Sequence, residues 1–255
     1  LGIKPLYVTE QNGGLAFASE LAALEVLPGH RFDVSQRAVH DFFSFGHVRL
    51  PRSIHQQVRS LAPGHFLKIG PAGAAIEGTF WRPRYRQVQA RSEAEWIEEF
   101  RTRWLATVKQ HLLSDVEVGA FLSGGIDSSA VVAAMRKVSD APVRTFTIGF
   151  PIERYNEAPV AERIARHLGC IHTTRIIDLK QARDILPAVQ RCYGEPFADP
   201  SAVPTWYLSQ VAREQVKVAL SGDGGDELFM GYKRHLTEQR VGAMHPLVRR
   251  MARSV

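Results

Sequence analysis

Two glycine-rich loops constrain this chain of 255 residues more than any other feature of its sequence. The first loop, SGGIDSS at 123–129, follows the short apolar run VGAFL at 118–122. The second loop, SGDGGDE at 221–227, follows the run VKVAL at 216–220. Short apolar runs that end in a turn signal are typical of buried strands, and a helical pattern follows each loop. The sequence therefore predicts two strand–loop–helix units about 100 residues apart.

The composition of these loops indicates that they bind a polyphosphate together with a cation. A glycine-rich turn before a helix directs several backbone N–H groups, and the positive end of the helix dipole, at one anion. Asp127, Asp223 and Asp226 would repel bare phosphate, so a divalent cation is expected between carboxylate and phosphate. Few protein ligands, all of them oxygen atoms, are what Mg²⁺ prefers. The G-x-x-x-x-G-K-[ST] pattern is absent, so neither loop is a Walker loop.

The first loop resembles the pyrophosphate loop of the ATP pyrophosphatases, which cleave ATP between its α and β phosphates. The second loop, followed by LFMGY at 228–232, is similar to the matching loop of the glutamine-dependent asparagine synthetases and their close relatives. Near the start of the chain, LGIKPLY, FASELAAL and LAPGHFL resemble the latter part of the glutaminase domain of that family, a class II amidotransferase.

This resemblance implies an α/β fold with two parts. Residues 1–86 are expected to be the C-terminal part of the glutaminase domain, an α+β Ntn-type sandwich of two antiparallel sheets. Residues 87–91 are expected to be a linker. Residues 92–255 are expected to be the N-terminal part of an ATP pyrophosphatase domain, with a doubly wound parallel sheet of the adenine nucleotide α-hydrolase-like kind.

The ends of the chain favour an interior piece of a longer protein. It opens inside a strand pattern without an initiator Met and stops in a basic helical pattern. The nucleophile of the family's glutaminase is an N-terminal cysteine, and neither Cys170 nor Cys192 is N-terminal. We therefore expect that the chain as given does not hydrolyse glutamine.

Local patterns predict the individual elements. In the first part, strands are expected at 6–8, 15–18 and 66–69, and a helix at 34–45. In the second part, Ser92 and Glu95 form a capping box for a helix that runs to about Leu113. Strands and helices then alternate, which predicts a parallel sheet. The strands are expected at 118–122, 143–150, 171–177 and 216–220, and the helices at 128–138, 158–168, 179–192 and 203–214.

The chemistry implied by the resemblance has two steps. The side-chain carboxylate of aspartate attacks the α-phosphate of ATP and releases pyrophosphate, and ammonia derived from glutamine then attacks the acyl-adenylate. ATP and Mg²⁺ are the implied cofactors. Asp127 and Asp226 are the expected Mg²⁺ ligands, and Asp223 is the expected catalytic residue, which would bind or deprotonate the ammonium. A helix N-cap for Asp127 and a turn-stabilising interaction for Asp223 are the structural alternatives.

The other expected site residues follow from matching positions in the family. Glu157 and Asp199 are expected beside the acyl substrate, although polar residues in such turns often serve only the turn. The residues expected to contact the nucleotide are Phe121, Ser123, Gly124, Gly125, Asp127, Ser128, Ser129, Ile148, Ser221 and Gly222.

Composition bears on partners and location. The net charge is +6, from 32 basic and 26 acidic residues. The basic residues cluster at 82–91 and 249–253 and do not form a patch interleaved with aromatic residues, so no nucleic-acid partner is expected. No run of about 18 apolar residues exists, so no membrane partner is expected. Two cysteines without metal spacing indicate reduced thiols of a cytoplasmic protein. Whether the whole protein forms a homodimer is left open.

Several alternatives remain open at the level of sequence. Related amidoligases close β-lactam rings, cyclise peptides or amidate polysaccharide precursors. A nucleotide-binding module without turnover would share the two loops. A tRNA-modifying relative would need a nucleic-acid-binding extension, and its affinity would fall steeply with salt.

Overall fold

The computed structural model describes residues 2–11, 13–70, 73, 75–84 and 90–243. The chain divides into two compact units. The first combines Leu1–Ala90 with Leu179–Trp206, and the second combines Arg91–Asp178 with Tyr207–Val255. The predicted linker at 87–91 falls largely outside the described residues, so the domain bounds stay a prediction. Within the described residues, no helix has the length and apolar character needed to cross a membrane.

The first unit contains two antiparallel sheets in its described part. One has the strand order β2–β1–β3, and the other pairs β4 with β5. The strands are β1 (Tyr7–Gln11), β2 (Gly14–Ala18), β3 (Val58–Ser60), β4 (His65–Ile69) and β5 (Ala75–Thr79). The helices are α1 (Leu21–Glu25), α2 (Gln36–Phe45), α6 (Leu179–Asp184) and α7 (Leu186–Tyr193).

The core of this unit lies where α1 meets the first sheet. Leu21, Leu24 and Val58 are buried there, and Tyr7 and Ile54 pack against them. The predicted hairpin is present, with Tyr7 opposite Ala18 in an antiparallel register. The helix predicted at 34–45 begins after Ser35, whose hydroxyl accepts the N–H of Ala38 and caps the helix.

The second unit is built on a four-stranded parallel sheet with the order β8–β7–β6–β9. The strands are β6 (Val118–Phe121), β7 (Arg144–Gly149), β8 (Ile171–Ile176) and β9 (Val218–Leu220). The helices are α3 (Glu93–His111), α4 (Ile126–Val138), α5 (Ala158–His167), α8 (Ala202–Arg213, whose last seven residues belong to this unit), α9 (Gly225–Phe229) and α10 (Lys233–Gly242), and a 3₁₀ helix covers Glu153–Tyr155.

Helices cover both faces of this sheet. Alternate side chains of a strand point to opposite faces. Ala120 belongs to a buried cluster formed with α3, α4 and α5. Its neighbour Phe121 packs instead, together with Phe146, against Val211 of α8. The structure therefore confirms the predicted α/β class with a doubly wound parallel sheet.

The strand order places the two loops side by side. The chain passes from β6 to β7 and β8 on one side and later adds β9 on the other side of β6. The direction of strand addition reverses between β6 and β9, which makes this a topological switch point. In open α/β sheets, ligands bind beyond the carboxyl ends of the strands at such a point. Both Ser-Gly loops begin there.

Local end signals explain most element boundaries. The capping box is present: Ser92 Oγ accepts the N–H of Glu95, and the Glu95 carboxylate accepts the N–H of Ser92 at 2.8 Å. At the end of α5, Gly169 has φ of +64°. Its N–H and that of Cys170 close a Schellman arrangement on Arg166 O and Ala165 O.

One predicted helix was wrong in its continuity. The segment expected as a single helix at 179–192 is two helices, α6 and α7, separated at Ile185. Pro187 has no N–H for an intrahelical hydrogen bond, and its ring disfavours a continuous helix through the preceding turn. The short elements α1, β3 and β5 were not predicted.

Candidate functional site

The first Ser-Gly loop is held by its own serine hydroxyls. The Ser123 N–H donates to Ser128 Oγ at 3.1 Å, and the two hydroxyl oxygens are 2.8 Å apart. The Gly125 N–H donates to Ser123 Oγ at 3.0 Å. Ser128 is buried. Since each of these contacts joins the strand end to the first turn of α4, the loop has a fixed conformation.

The loop leads directly into the N-terminus of α4. Gly125 is the N-cap residue and offers no side chain to the helix. The first N–H groups of an α-helix have no intrahelical acceptor, so they remain able to bind an anion. Ser129 Oγ donates to Gly125 O at 2.7 Å, and Asp127 lies in the first turn. Asp127 is thus not the N-cap, so its structural alternative does not hold.

The second Ser-Gly loop packs against the first. A β-carbon at Gly222 would lie 2.7 Å from Ser128 N, and one at Gly225 would lie 2.4 Å from Asp127 Oδ2. Real β-carbons do not approach neighbours so closely. The neighbour of Gly222 is a backbone atom of α4, so that position requires glycine, whereas a β-carbon at Gly225 would displace the end of the Asp127 side chain. Gly224 has φ of +93°, which L side chains rarely adopt. The glycines allow the backbone of one loop to touch the first helical turn of the other.

The three expected acidic residues lie on these two loops. The Asp127 carboxyl group lies against Gly225, and the Asp226 carboxyl group lies against Gly231. Asp223 Oδ2 accepts the Ser221 hydroxyl proton at 2.8 Å. In the part of the chain that the structure describes, no three His, Cys, Asp or Glu side chains form a ready metal cluster. Mg²⁺ does not need one, because phosphate oxygens and water usually complete its coordination.

The other expected nucleotide contacts are at the strand ends. Phe121 ends β6, Ile148 lies near the end of β7, and both are half-buried against the cluster on the α8 face. They provide an apolar surface at the carboxyl edge of the sheet. The structure brings together the expected nucleotide-contacting residues that form the two loops: Ser123, Gly124, Gly125, Asp127, Ser128, Ser129, Ser221 and Gly222.

The two weakly expected substrate residues belong to different units. Glu157 precedes α5, and one of its carboxylate oxygens accepts the Gly124 N–H at 3.2 Å. Asp199 lies in the first unit, where its carboxylate accepts the Ser201 N–H at 2.7 Å. That contact stabilises a turn at the start of α8. The roles of both residues toward a substrate stay predictions.

Sequence reasoning did not single out Tyr232, which follows the second loop. Its hydroxyl donates to the Glu227 carboxylate at 2.8 Å, and the Arg234 guanidinium lies 4.2 Å from the centre of its ring. The hydrogen bond from Tyr232 lowers the pKa of Glu227. The Gly231-Tyr232 pair after the acidic run was the available signal. This contact links α9 to the start of α10.

A second group of polar residues was also missed. In the first unit, a cavity of about 190 Å³ is lined by Tyr7, His47, Arg52, Tyr193 and Glu195, together with Val48, Leu50, Pro196 and Phe197. Both Glu195 oxygens accept the Ile54 N–H, at 2.9 and 3.2 Å. Burial raises the pKa of Glu195 to about 7, and Glu25 adds to the rise.

Nearby, the buried carboxylate of Asp41 lies between two arginines. Its oxygens are 3.1 Å from Arg49 Nε and 2.6 Å from Arg52 Nη2. Burial alone would raise the pKa of Asp41, but the hydrogen bonds from Arg52 and Arg49 outweigh it and lower the pKa. The single negative charge of Asp41 is therefore shared between Arg49 and Arg52, and Arg52 also lines the cavity.

Comparison with protein families assigns both parts of the chain. The family model "Asparagine synthase" matches residues 99–255, and "Glutamine amidotransferase domain" matches residues 1–81. This chain belongs to the asparagine synthase family. The match covers both Ser-Gly loops, and it confirms the resemblance on which the sequence analysis relied.

Individual relatives agree with the family models. The chain is 35% identical over 231 residues to asparagine synthetase [glutamine-hydrolyzing] 1 of Bacillus subtilis, covering 91% of this chain and 36% of that protein. It is 33% identical over 252 residues to a putative asparagine synthetase [glutamine-hydrolyzing] 2 of Methanocaldococcus jannaschii, covering 97% and 48%. The chain therefore spans less than half the length of these relatives.

A solved structure is also similar in part. The NH3-dependent NAD synthetase of Campylobacter jejuni, in complex with a nitrate ion, is 16% identical with a TM-score of 0.39. That similarity covers 53% of this chain and 60% of the synthetase.

Proposed function

We propose that this chain carries the nucleotide-binding part of an enzyme that makes asparagine from aspartate, ATP and ammonia derived from glutamine. The observation that carries this proposal is the contact between the two Ser-Gly loops, where Gly222 and Gly225 meet the first turn of α4. Membership of the asparagine synthase family supports the substrates and the use of ATP. A cytoplasmic location is part of the same proposal.

The first loop would bind the pyrophosphate of ATP. The first-turn N–H groups of α4 supply hydrogen-bond donors and a positive dipole end to the phosphate oxygens. The fixed hydroxyl pair of Ser123 and Ser128 keeps those donors in place before the ligand arrives. Preorganised donors stabilise charge that develops on the leaving pyrophosphate without a cost of reorganisation during the reaction.

The acidic residues fit a magnesium ion by the chemistry of their donor atoms. Asp127 of the first loop and Asp226 of the second would hold it, directly or through water. They are carboxylates on two loops that touch, and Mg²⁺ is usually held by one or two carboxylates plus substrate phosphates. The ion, when bound, supplies positive charge that neutralises the pyrophosphate.

The reaction proceeds in two steps at the carboxyl edge of the sheet. The aspartate side-chain oxygen attacks the α-phosphorus of ATP, the bond to the β-phosphate breaks, and pyrophosphate leaves. Ammonia then attacks the acyl carbon, and AMP leaves with the bonding electrons. Asp223 receives the proton that the attacking nitrogen loses. A positioned carboxylate in this role contributes typically 10²–10⁴-fold in rate.

The test of this function is exchange of labelled pyrophosphate into ATP. The protein expressed from the full reading frame that encodes this chain should catalyse this exchange, and the exchange should depend on aspartate and Mg²⁺. Glutamate, which is one methylene longer, is the matched control and should support much less exchange. Exchange that proceeds equally without aspartate, or that never occurs, would contradict the proposal.

A further inference from the structure

One carboxylate contacts the backbone of the first Ser-Gly loop at a place where that loop is built to receive an anion. Glu157 Oε2 accepts the Gly124 N–H at 3.2 Å. The two residues are in close contact, because a β-carbon at Gly124 would lie 3.6 Å from the Glu157 β-carbon and 3.2 Å from the Val160 side chain. The start of α5 therefore packs directly on the loop.

The helix that Glu157 precedes does not need this carboxylate. Glu157 is the N-cap residue of α5, but its side chain makes no capping hydrogen bond. Asn156 provides the cap instead, since its Oδ1 accepts the N–H groups of Ala158 at 3.2 Å and Phe150 at 3.4 Å. The Glu157 side chain is thus directed away from its own helix end and onto the loop.

The charge at this place is unfavourable for a bare polyphosphate. Glu157 adds a carboxylate to the first loop, which already carries Asp127. The second loop, which touches the first, carries Asp223 and Asp226. A hydrogen bond from a backbone N–H to an ionised carboxylate is stronger than one to a neutral acceptor. A phosphate oxygen can accept the Gly124 N–H only if the Glu157 carboxylate releases it. The phosphate and the carboxylate then lie close together and repel each other.

We propose that Glu157 acts as a built-in competitor for the phosphate-binding loop, which makes the loop select cation-bound polyphosphate over the bare anion. This inference rests on the proposed function, because it assumes that the first loop binds pyrophosphate. A divalent cation brings positive charge that compensates for the displaced carboxylate. The free anion brings no positive charge, so the full repulsion from the Glu157 carboxylate weakens its binding. Glu157 is therefore a specificity-determining residue.

The experiment measures binding of inorganic pyrophosphate by calorimetry, with the cation chelated and with Mg²⁺ in excess. The variant Glu157→Gln keeps the size of the side chain and an oxygen for the Gly124 N–H but removes the charge. Glu153→Gln is the matched control, because it removes the same charge from the neighbouring 3₁₀ helix. Among the described residues, the carboxylate that accepts the Gly124 N–H is that of Glu157 and not that of Glu153.

We expect Glu157→Gln to bind bare pyrophosphate about tenfold more tightly, the size expected for removing one nearby like charge. Its affinity for magnesium pyrophosphate should change less than threefold, and Glu153→Gln should change neither. Equal affinities in wild type and Glu157→Gln would overturn the inference and leave the proposed function intact. Weaker binding of magnesium pyrophosphate by Glu157→Gln would also overturn it, since Glu157 would then help to hold the cation. If no form binds pyrophosphate, the proposed function itself is contradicted.

Discussion

The backbone of Gly222 lies so close to the first turn of α4 that a β-carbon there would be 2.7 Å from the Ser128 nitrogen. The same hypothetical atom would be 3.0 Å from the carbonyl carbon of Asp127. These neighbours are backbone atoms of a helix and cannot move independently. The position of Gly222 therefore fixes the spacing between the two Ser-Gly loops.

The first prediction follows from this contact. Gly222→Ala should push the second loop away from α4, lower the free energy of unfolding by about 1–3 kcal/mol and weaken ATP binding at least tenfold. Gly242→Ala is the control, because a β-carbon at Gly242 would meet no atom of the described residues within 4 Å. Denaturant unfolding and calorimetric titration measure the two effects. An alanine variant that binds ATP like the wild type would show that the loop spacing does not matter.

A second prediction concerns the serine pair of the first loop. Ser128→Ala removes the acceptor of the Ser123 N–H and the partner of the Ser123 hydroxyl, which should cost about 1–2 kcal/mol of stability and reduce pyrophosphate affinity. Ser139→Ala, at the other end of α4, also removes an acceptor, that of the Ala141 N–H. Ser139→Ala should therefore lower the free energy of unfolding and leave pyrophosphate affinity unchanged. If both variants leave pyrophosphate affinity unchanged, the hydroxyl pair does not organise the site.

The third prediction separates the acidic residues of the second loop. In the protein expressed from the full reading frame, Asp223→Asn should keep pyrophosphate exchange but slow the formation of asparagine from ammonia by about 10²-fold or more. The reason is that the asparagine side chain cannot accept the ammonium proton. Asp226→Asn should weaken Mg²⁺ dependence and so reduce exchange itself. The readouts are labelled ATP and asparagine yield. Parallel loss of both activities in both variants would mean that Asp223 holds the cation or only the turn.

The fourth prediction is a pH dependence that comes from Glu195. Because burial raises the pKa of this group from 4.5 to about 7, the folded state binds its proton more tightly than the unfolded state does. The stability that Glu195 contributes is therefore greatest below pH 4.5 and is lost as pH rises toward 7. The full shift corresponds to about 3.4 kcal/mol, and solvent screening of this partly exposed side chain reduces the expected change to on the order of 2–3 kcal/mol.

Glu195→Gln should remove this slope, because an amide does not titrate and can still accept the Ile54 N–H. The measurement is the difference in free energy of unfolding between wild type and variant at several pH values from 4.5 to 8. Glu25→Gln is a useful companion, since loss of the Glu25 charge should lower the pKa of Glu195 and shift the slope to lower pH. If the difference in free energy of unfolding between wild type and Glu195→Gln is the same at every pH, Glu195 is not the source of the pH dependence.

Sequence patterns predicted those parts of the fold that depend on neighbours along the chain. The apolar runs before Ser123 and Ser221 became β6 and β9, and the Ser92–Glu95 capping box starts α3 as expected. Short strands such as β3 lack enough residues to show an alternating pattern. The break at Ile185 was signalled by Pro187, a signal that the prediction of one continuous helix at 179–192 did not use.

Contacts between distant segments could not be predicted in the same way. Glu195 accepts the N–H of Ile54 across 141 positions of sequence, and Glu157 reaches Gly124 across 33. Neither pairing has a local signature, because each depends on where the intervening elements pack. The two Ser-Gly loops are the exception: the alternation of strands and helices predicts a common sheet edge, and the topology places the loops there.

The central claim, that the two loops form one magnesium-dependent ATP site, is tested most directly by titrating ATP into wild type and Asp127→Asn with and without Mg²⁺. The asparagine keeps the size of the side chain that lies against Gly225 but has no negative charge. We predict that Mg²⁺ raises the affinity of the wild type for ATP at least tenfold and that Asp127→Asn loses most of this increase. An equal effect of Mg²⁺ on both proteins would contradict the account.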